Sequence, residues 1–243
     1  VQDTTAPDLT LPEDFTVECS DEMPLDDATA SDNCGPVVLE VVTDTLFGNA
    51  TGNYIVTRTF TATDDAGNST VGTQTIEVID STAPFVTLPP DTTLACDAIV
   101  PVWIPEAEDN CGEITWESSD EFVEGDCPGS AAILRHYVIS DDTGNTTLGT
   151  QAISLVDLTA PEFTYVPEAE IWECNAPAEL DSAQAMDNCS NVVLVAVLDT
   201  LDALEANQWI LMVTWTATDG CGNQAQASQE IQVLDQLAPT LDA

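Results

Sequence analysis

Three short acidic clusters are each spelled three times in this chain. Asp-x-Thr-Ala-Pro begins at Asp3, Asp80 and Asp157, Asp-Asn-Cys at Asp32, Asp109 and Asp187, and Asp-x-x-Gly-Asn at Asp64, Asp141 and Asp219. Their carboxylate and amide oxygens suit calcium, which takes about six to eight oxygen ligands at ~2.3–2.6 Å. The same residues also form tight turns without any metal: Asp-x-x-Gly-Asn suits a hairpin and Asp-Asn-Cys an Asx-turn. Both readings stand on the residues alone.

Cysteine is the second chemistry on offer. Cys19 and Cys34, Cys96 and Cys111, and Cys174 and Cys189 share one spacing of fifteen. The first repeat contains only such a pair, so a local disulfide is expected there and, by equivalence, in the other two. Each would close a short loop and contribute roughly 3 kcal/mol. Cys127 and Cys221 have no partner in their own repeats and are open to three fates: free, joined between repeats, or joined between chains. Eight cysteines in so small a chain indicate an oxidising compartment. Zinc is disfavoured, because His136 is the sole histidine and no Cys-x-x-Cys occurs.

Catalysis finds little support. With one histidine, no lysine and no Gly-x-Ser-x-Gly elbow, only carboxylates remain as acid/base groups. Pairs such as Asp64 and Asp65 lie on a repeated loop with no cleft-forming domain beside them, so no enzyme is expected. Asn49, Asn68, Asn145 and Asn188 are N-glycosylation acceptors by sequence. Asp-Thr-Leu recurs at Asp44 and Asp199, making Thr45 and Thr200 O-glycosylation candidates by resemblance to signals in some bacterial surface glycoproteins. The plainer reading is a polar turn at a strand end.

The openings lie 77 residues apart, and a fourth, Asp235-Gln-Leu-Ala-Pro, follows 78 residues after the third, so one unit is used in tandem. The expected division is 1–79, 80–156 and 157–234, with 235–243 as the first strand of a fourth repeat or an inter-subunit strand. Each repeat reads as short β-branched strands split by Gly, Pro, Asn and Asp, which predicts an all-β fold, a β-sandwich per repeat. The penultimate strand alternates most clearly: Val56, Arg58, Phe60 and Ala62 share a face, as do Ile133, Arg135, Tyr137 and Ile139, then Leu211, Val213, Trp215 and Ala217. The opposite face of the first is all threonine, so the aromatic face is the buried one. Arg58 and Arg135, the chain's only basic side chains besides His136, lie on that inward face, where a snorkelling or carboxylate-paired residue is expected rather than a ligand-binding one.

The order Thr-Ala-Pro, Asp-Asn-Cys, Arg-Thr-Phe-Thr-Ala-Thr-Asp-Asp-Ala-Gly-Asn and Thr-Gln-Thr-Ile-Glu-Val resembles the hyalin-repeat type of immunoglobulin-like domain. It is similar also to the tandem Ig-like repeats of large bacterial surface adhesins and extracellular filaments. The resemblance implies three tandem Ig-like β-sandwich domains of seven strands each in a linear rod, with an adhesive or scaffolding role. It implies too that chain opening, second-strand loop and last hairpin share one end of each sandwich. Asp3, Asp32, Asn33, Asp64, Asp65 and Asn68 would then meet at the first end. Asp80, Asp109, Asn110, Asp141, Asp142 and Asn145 would meet at the next, and Asp157, Asp187, Asn188, Asp219 and Asn223 at the third. Ca2+ is the expected occupant, held most weakly where Gly220 replaces Asp65 and Asp142.

Charge sets the partners. Forty-four acidic residues against two arginines give a formal charge of -42, which repels nucleic acid and anionic membrane. No run of eighteen apolar residues exists, so no membrane insertion is expected. Val1 stands two residues before the first opening, as in a processed chain or a segment of a longer one. Localisation is expected to be extracellular or at the cell surface. The expected partner is another copy, in a homopolymer built by head-to-tail contacts through the C-terminal strand. The alternative is an adhesin module gripping a glycan or protein ligand through its tip loops.

Overall fold

The computed structural model describes residues 2–174, 179–205 and 208–236, the backbone alone for 202–205. All regular structure among them is strand. The first period holds β1 (Asp8–Thr10), β2 (Phe15–Glu18), β3 (Thr29–Ser31), β4 (Val37–Phe47), β5 (Tyr54–Asp64) and β6 (Ser69–Ile79). The second holds β7 (Phe85–Thr87), β8 (Thr92–Ala95), β9 (Glu106–Glu108), β10 (Ile114–Glu124), β11 (Ala131–Asp141) and β12 (Thr146–Val156). The third holds β13 (Glu162–Tyr165), β14 (Glu170–Glu173), β15 (Gln184–Met186), β16 (Val193–Glu205), β17 (Gln208–Thr218) and β18 (Gln224–Leu234). Every period makes a two-stranded sheet, such as β1-β3, and a four-stranded sheet in the order β2-β6-β5-β4. Each repeat therefore carries six described strands where the family resemblance implies seven.

By compactness the chain divides into two units. One comprises Val1–Pro89, Trp103–Ser119 and His136–Thr150, the other Pro90–Val102, Asp120–Arg135 and Gln151–Ala243. The expected strand at 235–243 falls, from residue 237 on, outside the described residues.

Alternation on the penultimate strand sets the core. Val56, Arg58, Phe60 and Ala62 are buried, as are Ile133, Arg135, Tyr137, Ile139, Val213, Trp215 and Ala217, while Leu211 packs partly buried against the third core. A buried glutamine recurs on the last strand at Gln74, Gln151 and Gln229. Each donates its amide hydrogen to a backbone carbonyl just before the second strand, of Glu13, Pro90 and Glu168 respectively. A buried amide left without that acceptor would cost free energy, so this bond pins the small sheet's connection to the large sheet.

Both arginines meet a carboxylate, with unequal consequences. Arg135 forks onto Asp120, Nε to Oδ1 at 2.7 Å and Nη2 to Oδ2 at 2.8 Å, and donates to the Pro101 carbonyl. The hydrogen bonds from Arg135 hold the Asp120 carboxyl below its ordinary pKa even against partial burial. Arg58 instead bonds Gln74 and the Asp26 carbonyl, lies over the Phe60 ring, and reaches Asp27 only at 3.5 Å, where that carboxylate is 89% exposed. Asp120→Ala should therefore destabilise the protein by roughly 3 kcal/mol, and Asp27→Ala by less than about 0.5 kcal/mol. Urea unfolding of the two variants checks the contrast; equal losses would refute it.

Strand direction assigns each repeat two different poles. β1 runs antiparallel to β3 with Asp8 opposite Ser31, so the chain opening lies beside the Asp-Asn-Cys loop. The turn between β5 and β6 comes to the same end, because Asn68 donates to Asp64 and to the Asp3 carbonyl. β2 runs parallel to β6, and Cys19 at its end donates its N–H to Ile79. The hairpin between β4 and β5 points the same way, since Tyr54 pairs with Val78. Three acidic loops thus mark the leading pole; Cys19 and the long hairpin mark the trailing pole.

Candidate cation sites at the seams between repeats

These poles overturn the local disulfides. Cys19 lies at the trailing pole of its repeat and Cys34 at the leading pole, so a bond between them would have to cross the sandwich. The structure instead joins Cys19 to Cys111 and Cys96 to Cys189, each trailing cysteine meeting the leading cysteine of the following repeat. Cys127 is bonded to Cys221 across the second seam, while Cys34 and Cys174 are free thiols. The first seam lies wholly within one compact unit and the second within the other.

At the first seam, Asp80, Asp109 and Asp141 offer carboxylate oxygens all within 4.8 Å of one another. The Asx-turn and hairpin geometries are also present. Asp109 Oδ2 accepts from the N–H groups of Cys111 and Gly112, both at 2.9 Å. Asp141 Oδ1 accepts from the N–H groups of Thr143, Gly144 and Asn145, and Oδ2 accepts from the Asn145 side-chain amide. The turn supplies donors to one oxygen of Asp109 and leaves the other empty-handed: Asp109 Oδ1 and Asp80 Oδ2 are buried with no hydrogen-bond partner.

Electrostatics follows from that crowding. Burial, with the charges of Asp109 and Asp141 nearby, pushes the Asp80 carboxyl up from its ordinary value. Burial also works against the Asp141 charge, but the hydrogen bonds from Thr143, Asn145 and Gly144 outweigh it and hold that carboxyl down. One member of the cluster thus resists ionisation beside another that is held ionised.

The second seam repeats the arrangement. Asp187 Oδ2 accepts from the N–H groups of Cys189 and Ser190, Asp219 Oδ1 from Cys221 and Asn223, and Asn223 donates to the Asp157 carbonyl. Asp157 Oδ2 and Asp187 Oδ1 are buried without partners, the same two atoms as before. At the leading pole of the first repeat, Asp3, Asp32 and Cys34 cluster, Asp32 Oδ1 has no partner, and Asn68 bonds Asp64, which it holds below its ordinary pKa.

Two kinds of candidate ligand lie elsewhere. Asn110 turns its amide toward Glu18, Cys19 and Ser20 of the preceding repeat, and Asn188 toward Cys96. Asp142 accepts from the N–H of Thr51 at 2.8 Å, so it braces the preceding hairpin. Gly220 therefore removes a brace, and Cys221 beside it supplies the bond to Cys127 in its stead. At the leading pole Asn33 and Asp65 are exposed.

Sequence reasoning missed the trailing-pole half of each seam. Glu18 accepts from Ser81 N–H and Oγ, Thr82 Oγ1 and the Asn110 amide. The backbone bond from Ser81, followed by its hydroxyl, lowers the Glu18 pKa to about 2. Because the folded value lies below the unfolded one, its contribution is complete above the ordinary glutamate range and disappears as pH falls through about 2. NMR titration should find Glu18 ionised well below the other glutamates; a midpoint near 4.5 would contradict the bond set. Gly52, at φ 88°, is also required, since a Cβ there would meet the Cys111 Cβ at 2.9 Å. The available signal was Val-Glu-Cys at the end of β2, matched by Trp-Glu-Cys at the end of β14.

Two glycan candidates are placed differently from the turn reading. Thr45 lies inside β4 and Thr200 inside β16, both exposed. Asn49 is exposed in the β4–β5 hairpin; Asn68 and Asn145 spend their amides on their own turns.

The chain is 30% identical to hyalin of Lytechinus variegatus over 235 residues, 88% of this chain and 43% of that protein. It is 29% identical to hyalin of Strongylocentrotus purpuratus over 226 residues, 85% of this chain and 18% of that one. The chain thus spans less than half the length of either curated relative. No protein-family model matches. Among solved structures, Drosophila N-cadherin EC1-4 is 13% identical at TM-score 0.35, covering 95% of this chain and 76% of that one. Mouse cadherin-23 EC22-24 is 12% identical at TM-score 0.36, covering 96% and 100%. TM-scores this low leave the cadherin likeness without weight for fold or function. With the sheet pairs and the disulfides, this is an extracellular all-β protein whose sequence is similar to hyalin over most of its length.

Proposed function

We propose that this chain is a structural segment of an extracellular adhesive fibre or stalk, on a bacterial surface, whose repeats are fixed to one another by disulfides and by Ca2+ at each seam. One observation carries the cation: the same two carboxylate oxygens, one from the chain opening and one from Asp-Asn-Cys, are buried without hydrogen bonds at both seams. A buried anionic oxygen with no donor is costly, and a second at its side adds repulsion. A divalent cation cancels both penalties at once. Asp80, Asp109 and Asp141 would hold it at the first seam and Asp157, Asp187 and Asp219 at the second, with water filling the remaining positions that calcium demands. The seams also carry the directionality of the assembly: a leading pole fits only a trailing pole, so copies add head to tail and the contact does not close.

Calorimetric titration with calcium tests the cation. Heat saturating at two sites per chain is expected, and no heat at millimolar calcium would remove the proposal. Negative-stain imaging with and without chelator tests the fibre: concentration-dependent filaments support it, whereas dispersed monomers at every concentration count against it.

A further inference from the structure

We propose that Cys174 of one copy and Cys34 of the next are the two halves of a further inter-repeat disulfide, which links chains covalently head to tail. Both are free thiols at positions that are bonded everywhere else the fold repeats. Cys34 follows Asp32-Asn33 at a leading pole as Cys111 follows Asp109-Asn110, and Cys174 ends β14 at a trailing pole as Cys19 ends β2.

The surroundings of both thiols match the finished seams. Around Cys174, Glu173 accepts from the N–H of Gln236 at 3.0 Å, as Glu18 accepts from Ser81. Glu173, Cys174 and Asp235 lie within 4.8 Å of one another, and Cys19 and Asp80 form the same neighbourhood once Cys111 has entered it. Around Cys34, Asp32 Oδ1 is buried without a partner, the atom orphaned in both formed seams. An open recess of about 460 Å³ there is lined by Asp3, Asn33, Cys34, Asp64 and Asp65 among others. At the first seam the corresponding face receives Thr51 and Gly52. The occupant is therefore another repeat of this type, and in a solution of this chain that repeat belongs to a second copy.

Bond formation removes two protons and two electrons from the two thiols, passed to a disulfide oxidant. With oxidised glutathione, one cysteine thiolate displaces a glutathione thiolate, and the other cysteine displaces the second.

This link deepens the head-to-tail reading above. Incubating the intact chain with oxidised glutathione should convert it to a ladder of multiples of 25.8 kDa on non-reducing gels, with a Cys34–Cys174 peptide in the digest. Cys34→Ser and Cys174→Ser should each stay monomeric alone, and their mixture should stop at a heterodimer. Homodimers of either variant at the rate of the mixture, or thiols that stay alkylatable throughout, overturn the link. If thiol-blocked chains still form filaments, the assembly survives and only its covalent bond is lost; if neither filaments nor ladder form, both fall.

Discussion

In calcium, the thermal midpoint of this chain should rise by roughly 10–20 °C at a hundredfold excess over Kd, a gain of about 2.7 kcal/mol at each of two sites. The informative variant is Asp109→Asn, because its effect should change sign with the metal. Without calcium, the new side-chain amide can place its NH2 at the orphaned Oδ1 position and donate to the neighbouring carboxylates, while its oxygen keeps the bonds from Cys111 and Gly112. One of three crowded charges also disappears, so the calcium-free variant should be the more stable protein. With calcium, the variant should lose the first seam's gain and fall below the parent. Proton linkage gives an independent check. Asp80 has its folded pKa raised, so its protonation stabilises the fold at low pH, and that contribution disappears as pH climbs through the raised value. Calcium should therefore release protons on binding near that value, and its affinity should weaken on acidification. Variants that behave alike with and without calcium would point to turn chemistry alone.

Reduction is expected to have the larger effect. Each bond closes a loop of more than ninety residues, at separations of 92, 93 and 94. Chain-entropy reasoning assigns such a loop about 4–5 kcal/mol, more than a local loop of fifteen would give. Because Cys19–Cys111 ties two repeats together, the Cys19→Ser/Cys111→Ser double variant should lower the midpoint and also split one cooperative transition into two. Cys34→Ser/Cys174→Ser should leave the melting of the monomer unchanged, although it removes as many sulfur atoms. Calorimetry on the two double variants distinguishes the maps, since local pairing would make all four cysteines matter alike.

The sequence carried the repeat and the buried face of the penultimate strand, because each is a local pattern with one physical solution. Phe60, Tyr137 and Trp215 fall in phase with their strands, and only one face can be apolar. Pairing of the cysteines was a different matter. Cys111 stands fifteen residues from Cys96 and 92 from Cys19, and the period allows both. Only the parallel course of β2 beside β6, a non-local fact, puts Cys19 at the far pole. The short strands β3, β9 and β15 escaped notice because three residues offer too little alternation to read. Asn110 and Asp142 were assigned to the acidic cluster by adjacency, yet one position along a turn reverses the direction of a side chain. The partner of each was a group in the preceding repeat, invisible to any reading confined to one period.

The crossing bonds change what damage means for this molecule. A protease that cuts between Ile79 and Phe85 severs the main chain at the first seam, yet the fragments stay tethered through Cys19 and Cys111. At the second seam two such tethers, Cys96–Cys189 and Cys127–Cys221, back up the peptide. A single nick there leaves the strand whole, so parting it takes both hydrolysis and a reductant, two insults rarely met together outside a cell.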